Sequence, residues 1–114
     1  MPYYEKSLER QKDVFGADSP EVATGLNNLA ELLRAQGKFD DAKPLHVEAL
    51  AIRKRALGND HPDVAQSLNN LALLLKAQGK NAEAQRMGKE ALAIYERALG
   101  PAHPDTIEAR RDWD

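Results

Sequence analysis

The stretch GLNNLAELLRAQGK at residues 25–38 recurs as SLNNLALLLKAQGK at residues 67–80, 42 positions later. When residues 16–57 are aligned with residues 58–99 without a gap, 25 of the 42 pairs are identical. A fixed period of this size is the sequence signature of a repeat architecture, in which each unit buries its apolar face against its neighbours. The chain is therefore predicted to consist of repeated supersecondary units.

Each unit is predicted to form two helices. Pro20 and Pro62 suit a first helical turn, where the missing N–H has no partner to lose, and Gly37 and Gly79 suit a helix end with positive φ. The first helix carries apolar residues at steps of 4, 3 and 4, which is helical periodicity: Val22, Leu26, Leu29 and Leu33. The second helix begins near Asp40 or Ala82, and its apolar residues step by 3, 4, 3 and 4: Ala42, Leu45, Ala49, Ile52 and Ala56, then Ala84, Met87, Ala91, Ile94 and Ala98.

The ends of the chain align with parts of a unit. Residues 1–15 match a second helix, and residues 100–114 match the opening of a first helix. We therefore expect a single repeat domain over residues 1–114, made of an incomplete unit, two full units at 16–57 and 58–99, and the start of another. The fold class is predicted to be all-α with about five to six helices, and the chain is expected to be a window from a longer array.

The composition narrows the classes of function. A net charge of -2 and a pI near 5.9 give no basic face for nucleic acid. The longest apolar run, Leu71 to Leu75, is far below the roughly 20 residues of a membrane span, and residues 1–15 have no apolar signal-peptide segment. The absence of cysteine excludes disulfides and thiolate metal sites, and we expect a cytoplasmic location.

The repeated pattern L-N-N-L-A-x-L-L-x-x-Q-G-K, followed by A-L-x-I and then L-G-x-x-H-P, resembles tetratricopeptide repeats. It is similar to the 42-residue variant found in kinesin light chains. The resemblance covers essentially the whole chain and implies a right-handed α-solenoid of antiparallel helix pairs, with small residues such as Ala30, Ala42 and Ala49 at close helix contacts. It implies no particular partner, since a fold does not transfer a function.

Two positions depart from the family pattern. The second helix normally carries an aromatic residue at the position of Tyr4, His46 and Gly88, and only Tyr4 fits. A gap at Gly88 could be filled by a neighbouring segment, by Tyr95 or by a partner. The segment RRDWD at 110–114 replaces the expected asparagine pair, so the third unit is either a degenerate end or is completed by another segment.

No arrangement of residues predicts catalysis. There is no serine–histidine–acid set, no pair of carboxylates and no glycine-rich phosphate loop, so we expect the chain not to be an enzyme and to use no cofactor and no metal. His61 and His103 precede proline at the same point of successive units, where a helix-start role is favoured over a metal or pH-sensing role. His46 is interpreted as a substitute for the family aromatic rather than as a ligand.

What remains is a binding surface. By resemblance to the family, one arc of each first helix faces a concave groove that binds an extended peptide, and the predicted groove residues are Thr24, Asn27, Asn28, Glu31, Arg34, Gln66, Asn69, Asn70, Leu73, Lys76 and Arg111. The third fragment would also add Glu108 and Asp112. An asparagine amide both donates and accepts, so it can hold the backbone of a peptide of any sequence. The cations Arg34, Lys76 and Arg111 favour an acidic segment or a C-terminal carboxylate as guest.

The paired asparagines have two interpretations. Asn27 and Asn69, further round toward the predicted groove, are assigned to guest contact. Asn28 and Asn70 are divided between guest contact and hydrogen bonds that fix the stacking of units. A further set of charges is expected to form an ordinary solvated face: Arg53, Lys54, Arg55, Lys89 and Glu90.

The leading hypothesis is therefore a non-catalytic protein–protein interaction module that binds an extended, acidic peptide. The alternative is a structural segment that stacks end to end or exchanges helices to form homo-oligomers, because uncapped repeat ends leave apolar faces open. Those faces are predicted at one end from Tyr3, Leu8, Val14 and Phe15, and at the other from Ile107 and Trp113. A third possibility is an adaptor or sensor segment of a larger protein.

Overall fold

A computed structural model of the chain describes residues 19–114, and the chain divides into two compact units, Met1–Leu57 and Gly58–Asp114. The division falls at Gly58, where the sequence begins its second full repeat. Residues 19–114 form five α-helices and no strand, which confirms the all-α prediction. The predicted helix at residues 1–15 and the apolar face assigned to it lie outside the described residues.

The first unit contains α1, Pro20–Ala35, and α2, Phe39–Leu57, packed against each other. Pro20 occupies the first helical turn as predicted, and the side chain of Ser19 accepts a hydrogen bond of 3.3 Å from the backbone N–H of Val22. A capping side chain of this kind stabilises a helix by about 1 kcal/mol. Pro44 lies within the first two turns of α2 without ending it.

The second unit contains α3, Pro62–Ala77, then α4, Asn81–Leu99, and α5, Pro104–Trp113. Helix α4 packs against both α3 and α5. His61 and His103 are the N-cap residues of α3 and α5: Nδ1 of each accepts from the backbone N–H two residues later, at 3.0 Å and 3.1 Å. This confirms the helix-start role of the two histidines.

A glycine turn joins the two helices of each repeat. Gly37 has φ of 79° and Gly79 has φ of 81°. The next residue, Lys38 or Lys80, donates its backbone N–H to the carbonyl of Leu33 or Leu75 at 2.8 Å or 2.9 Å. This six-residue closure satisfies a carbonyl that the end of the helix would otherwise leave open.

The buried face of each first helix is the predicted one, with Val22, Leu26, Leu29 and Leu33 all buried in α1. The second helices differ in part. Ala56 and Ala98 are exposed, while Leu45 and Met87 are only half-buried. The predicted apolar pattern therefore ends one turn early. Other residues of the same helices are buried in addition to the predicted ones: Leu50 and Arg53 in α2, and Leu92 and Tyr95 in α4.

The assignment of Arg53 to the solvated face is wrong. Arg53 is 4% exposed and lies at the position that Tyr95 occupies in the second repeat. Its guanidinium donates to Oγ1 of Thr24 across the helix pair, at 3.4 Å. The long stem of the arginine replaces the ring as packing material. By contrast, Arg55, Lys89 and Glu90 are exposed as predicted, and Lys54 is half-buried.

Across residues 19–114, no helix combines the length and the apolar character needed to cross a membrane.

Replacing Gly79 by alanine should destabilise the second unit by about 1–2 kcal/mol, because an L-residue is strained at positive φ. A Cβ at this position would meet no atom within 4 Å, so steric overlap does not contribute. Urea unfolding followed by circular dichroism measures the loss. Gly79→Asn is the matched control, since asparagine tolerates this conformation: it should cost clearly less, and equal losses would contradict the backbone explanation.

Candidate functional site

In the first unit, Asn27 of α1 is hydrogen-bonded to His46 of α2. Oδ1 of Asn27 lies 2.9 Å from Nδ1 of the imidazole, and the two residues are only 6% and 0% exposed. Because the partner atom is an oxygen, the imidazole Nδ1 is the donor. His46 thus fills the place of the family aromatic, as predicted, and it also binds the first helix.

The same imidazole faces a charged pair. Its Nε2 lies 3.4 Å from Oε1 of Glu31 and has no hydrogen-bond partner among the described residues. Oε2 of Glu31 accepts from the guanidinium of Arg34 at 2.8 Å and 3.2 Å. Burial lowers the pKa of His46 below its ordinary 6.5, and it outweighs the opposing attraction of Glu31; Arg34 and Arg53 lower the pKa further. His46 is therefore neutral at pH 7.

The predicted exposure of Asn27 relative to Asn28 is wrong. The sequence placed Asn27 nearer the open groove than Asn28, yet Asn27 is buried under His46 and Asn28 is exposed. Asn28 makes no side-chain hydrogen bond within residues 19–114. Thr24 is exposed, and its hydroxyl donates to the carbonyl of Pro20 at 3.1 Å.

In the second unit, Trp113 performs the role of His46 from a different place in the chain. Gly88 stands at the position of His46 and has no side chain, and the indole of Trp113 lies directly against it. The indole Nε1–H donates to Oδ1 of Asn69 at 2.6 Å. Asn69 therefore accepts a ring N–H just as Asn27 does, and the gap predicted at Gly88 is filled by a neighbouring segment rather than by Tyr95.

Two further residues contact Trp113. Nζ of Lys76 lies 5.7 Å from the centroid of the Trp113 ring, a cation–π distance. Gln85 donates its side-chain amide to the backbone carbonyl of Trp113. Trp113 is 3% exposed, so its assignment to an open apolar face is wrong, while Ile107, its predicted companion, is 42% exposed.

The second unit also contains an open cavity of about 230 Å³ between α3, α4 and the start of α5. It brings together five of the predicted groove residues with three others, and its walls are Gln66, Asn69, Asn70, Leu73 and Glu108, with Tyr95, Asp105 and Ala109. Asn70 is half-buried, and across residues 19–114 its side-chain amide makes no hydrogen bond. The amide is therefore available to a guest.

The predicted cations do not line this cavity. Arg111 is exposed on α5, Lys76 lies over the indole, and Arg34 belongs to the first unit and is paired with Glu31. The carboxylates Asp105 and Glu108 line it instead. Glu108 was included in the predicted arc by the alignment with Gln66, whereas Asp105 was not predicted.

Within residues 19–114, no three histidine or acidic side chains are close enough together to hold a metal ion.

Comparison with known proteins gives one family. Residues 2–54 and 21–97 match the family model described as Tetratricopeptide repeat. The crystal structure of BtubC (BKLC) from P. vanneervenii is similar, with a TM-score of 0.88 and 31% identity over 98% of this chain and 45% of that one. A structure of nearly identical TPR-like repeats from Podosopora anserina, described as kinesin light chain, has a TM-score of 0.86 and 24% identity over 96% of this chain and 52% of that one. The chain thus spans about half the length of each. Among curated proteins, no match is found.

Acidification should destabilise the first unit through His46. The folded-state pKa lies below the unfolded value of 6.5, so the unfolded state binds the extra proton more readily. The stability associated with neutral His46 is present above pH 6.5 and is lost as the pH falls through the lowered folded pKa. Urea unfolding between pH 8 and pH 5 measures this loss. His46→Gln, which does not titrate, should lack this part of the pH dependence, and identical profiles would contradict it.

Replacing Gly88 by alanine should displace the indole, since the new Cβ would overlap Cγ, Cδ2 and Cε2 of Trp113. Overpacking of this kind costs about 1–3 kcal/mol, and the emission of Trp113, the only tryptophan, should shift to longer wavelength. The control is the same change beside Trp113→Leu, the residue found at positions 29 and 71. There, Gly88→Ala should stabilise the helix by up to about 1 kcal/mol. If Gly88→Ala changes the stability in the same direction with Trp113 and with Trp113→Leu, the contact between Gly88 and the indole is contradicted.

Proposed function

Because the chain belongs to the tetratricopeptide repeat family and is similar to kinesin light chain-like repeat structures, we propose that it binds an extended peptide along the first helices of its units. Repeats of this family generally mediate protein–protein interaction, and such folds are typically non-catalytic scaffolds. The observation that carries the proposal is the pair of unengaged amides, Asn28 and Asn70, at equivalent positions of α1 and α3.

The two asparagines of each pair differ in their hydrogen bonding. The first, Asn27 or Asn69, has its oxygen bound to a ring N–H. The second has no hydrogen-bond partner among the described residues. A mid-helix amide with both a donor and an acceptor available supports contact with a peptide backbone. We therefore place the backbone contacts of the guest on Asn28 and Asn70, with Asn27 and Asn69 shaping the surface beneath them.

We further propose that the guest is acidic near the basic side chains. Lys76 and Arg111 are exposed. Arg34 is half-exposed, and its charge is partly offset by Glu31, so its attraction for an acidic residue is weaker. Acidic residues of the guest should thus lie closer to Lys76 and Arg111 than to Arg34.

The self-assembly alternative has lost one of its supports, because Trp113 is covered within its own unit. Ile107 remains exposed, and the predicted face at residues 3–15 lies outside the described residues. Homo-oligomerisation therefore stays a prediction, as does a cytoplasmic location.

Replacing Asn70 by alanine should weaken peptide binding about 3- to 10-fold, the effect of losing one or two hydrogen bonds, without altering the emission of Trp113. Peptides selected from a random twelve-residue library and measured by fluorescence anisotropy supply the guests. Lys76→Gln should weaken the binding of acidic peptides. It should not affect the binding of the same peptides with asparagine and glutamine in place of their acidic residues. Glu90→Gln, on the exposed face of α4, is the control. Unchanged affinity for Asn70→Ala would contradict the proposed surface.

A further inference from the structure

The cavity of the second unit has a charge pattern opposite to that of the rest of the predicted groove. Its eight wall residues include two carboxylates, Asp105 and Glu108, and no cation. The two side chains lie three residues apart on α5, so they project on the same side of the helix.

These carboxylates are not neutralised by neighbouring side chains. Within residues 19–114, Glu108 makes no ion pair. Oδ2 of Asp105 is 3.9 Å from Nδ1 of His103, but that nitrogen accepts the backbone N–H of Asp105 and so offers no proton to the carboxylate. The guanidinium of Arg110 is engaged by Glu96 at 3.2 Å. The negative charge therefore faces the open cavity.

The remaining walls complete a site for one long side chain. Leu73 provides apolar surface, Tyr95 and Ala109 border the cavity, and Asn70 offers an amide oxygen. The volume of about 230 Å³ is smaller than the roughly 300–1,000 Å³ of pockets that hold whole small ligands. A basic side chain matches this arrangement, since its hydrocarbon stem packs on apolar surface while its charged head stays among acceptors.

We propose that this cavity binds an arginine or lysine side chain of the guest peptide, an inference that rests on the proposed function. Arginine fits better than lysine, because its planar fork can bond a carboxylate through two N–H groups. The guest then has a defined charge order: a basic residue at the cavity, and an acidic residue further along α3 toward Lys76.

The test selects a random twelve-residue peptide library, displayed on phage, against the full chain. Peptides that bind should share an arginine or lysine at one position. In the synthetic peptide, replacing that residue by citrulline, which keeps the shape of arginine and removes its charge, should weaken binding about tenfold. For a lysine-bearing peptide, norleucine is the equivalent uncharged replacement.

Variants of the chain locate the effect. Asp105→Asn with Glu108→Gln should weaken the basic peptide about tenfold and leave the citrulline peptide unchanged. The control pair Glu83→Gln with Glu90→Gln removes the same charge from α4, away from the cavity, and should leave both affinities unchanged. The emission of Trp113, whose indole is bonded to Asn69 in the cavity wall, reports that the unit remains folded.

Each outcome decides the matter. A shared basic position whose effect depends on Asp105 and Glu108 supports the inference. Peptides that bind without a basic position, or a basic position insensitive to those two variants, overturn the inference and leave the proposed function standing. If the library yields no binding peptide, the proposed function fails and the inference fails with it.

Discussion

A ring N–H donated to the side-chain oxygen of an asparagine is the contact on which both units depend. It joins Asn27 to His46 in the first unit and Asn69 to Trp113 in the second, and in each case it links two helices through buried or nearly buried groups. Leaving a buried polar group without its partner costs about 1–3 kcal/mol. Because the bond is directional, it reinforces the one helix register that the close-packed apolar core also favours.

Much of the fold follows from local sequence signals. Pro20 and Pro62 mark helix starts, Gly37 and Gly79 mark helix ends, and the leucines between them repeat at helical steps. These features act over a few residues, so their consequences can be derived without knowledge of the packed structure. The helix bounds in the second halves of the units differ from the predicted starts by one residue.

The candidate site was less accessible to prediction, because its contacts join residues far apart in sequence. Trp113 and Asn69 are 44 residues apart, and nothing periodic connects them. Two signals were nevertheless present: the aromatic residue absent at Gly88 and the tryptophan at a position where the other repeats have leucine. The burial of Arg53 was similarly indicated only by its alignment with Tyr95. Which of two adjacent asparagines is engaged depends on a side chain from another helix, and helical geometry alone does not specify it.

The close contact between Gly88 and Trp113 also makes the two positions depend on each other. A tryptophan would find its space occupied if position 88 carried a ring, whereas a glycine there leaves a void that the indole can fill. Overpacking and cavities both lower the stability of a dense core, but a chain with a void can still fold. A ring at position 88 and the indole of Trp113 therefore exclude each other. With the indole in place, a side chain at position 88 would overlap it, so the residues tolerated at these two positions depend on each other.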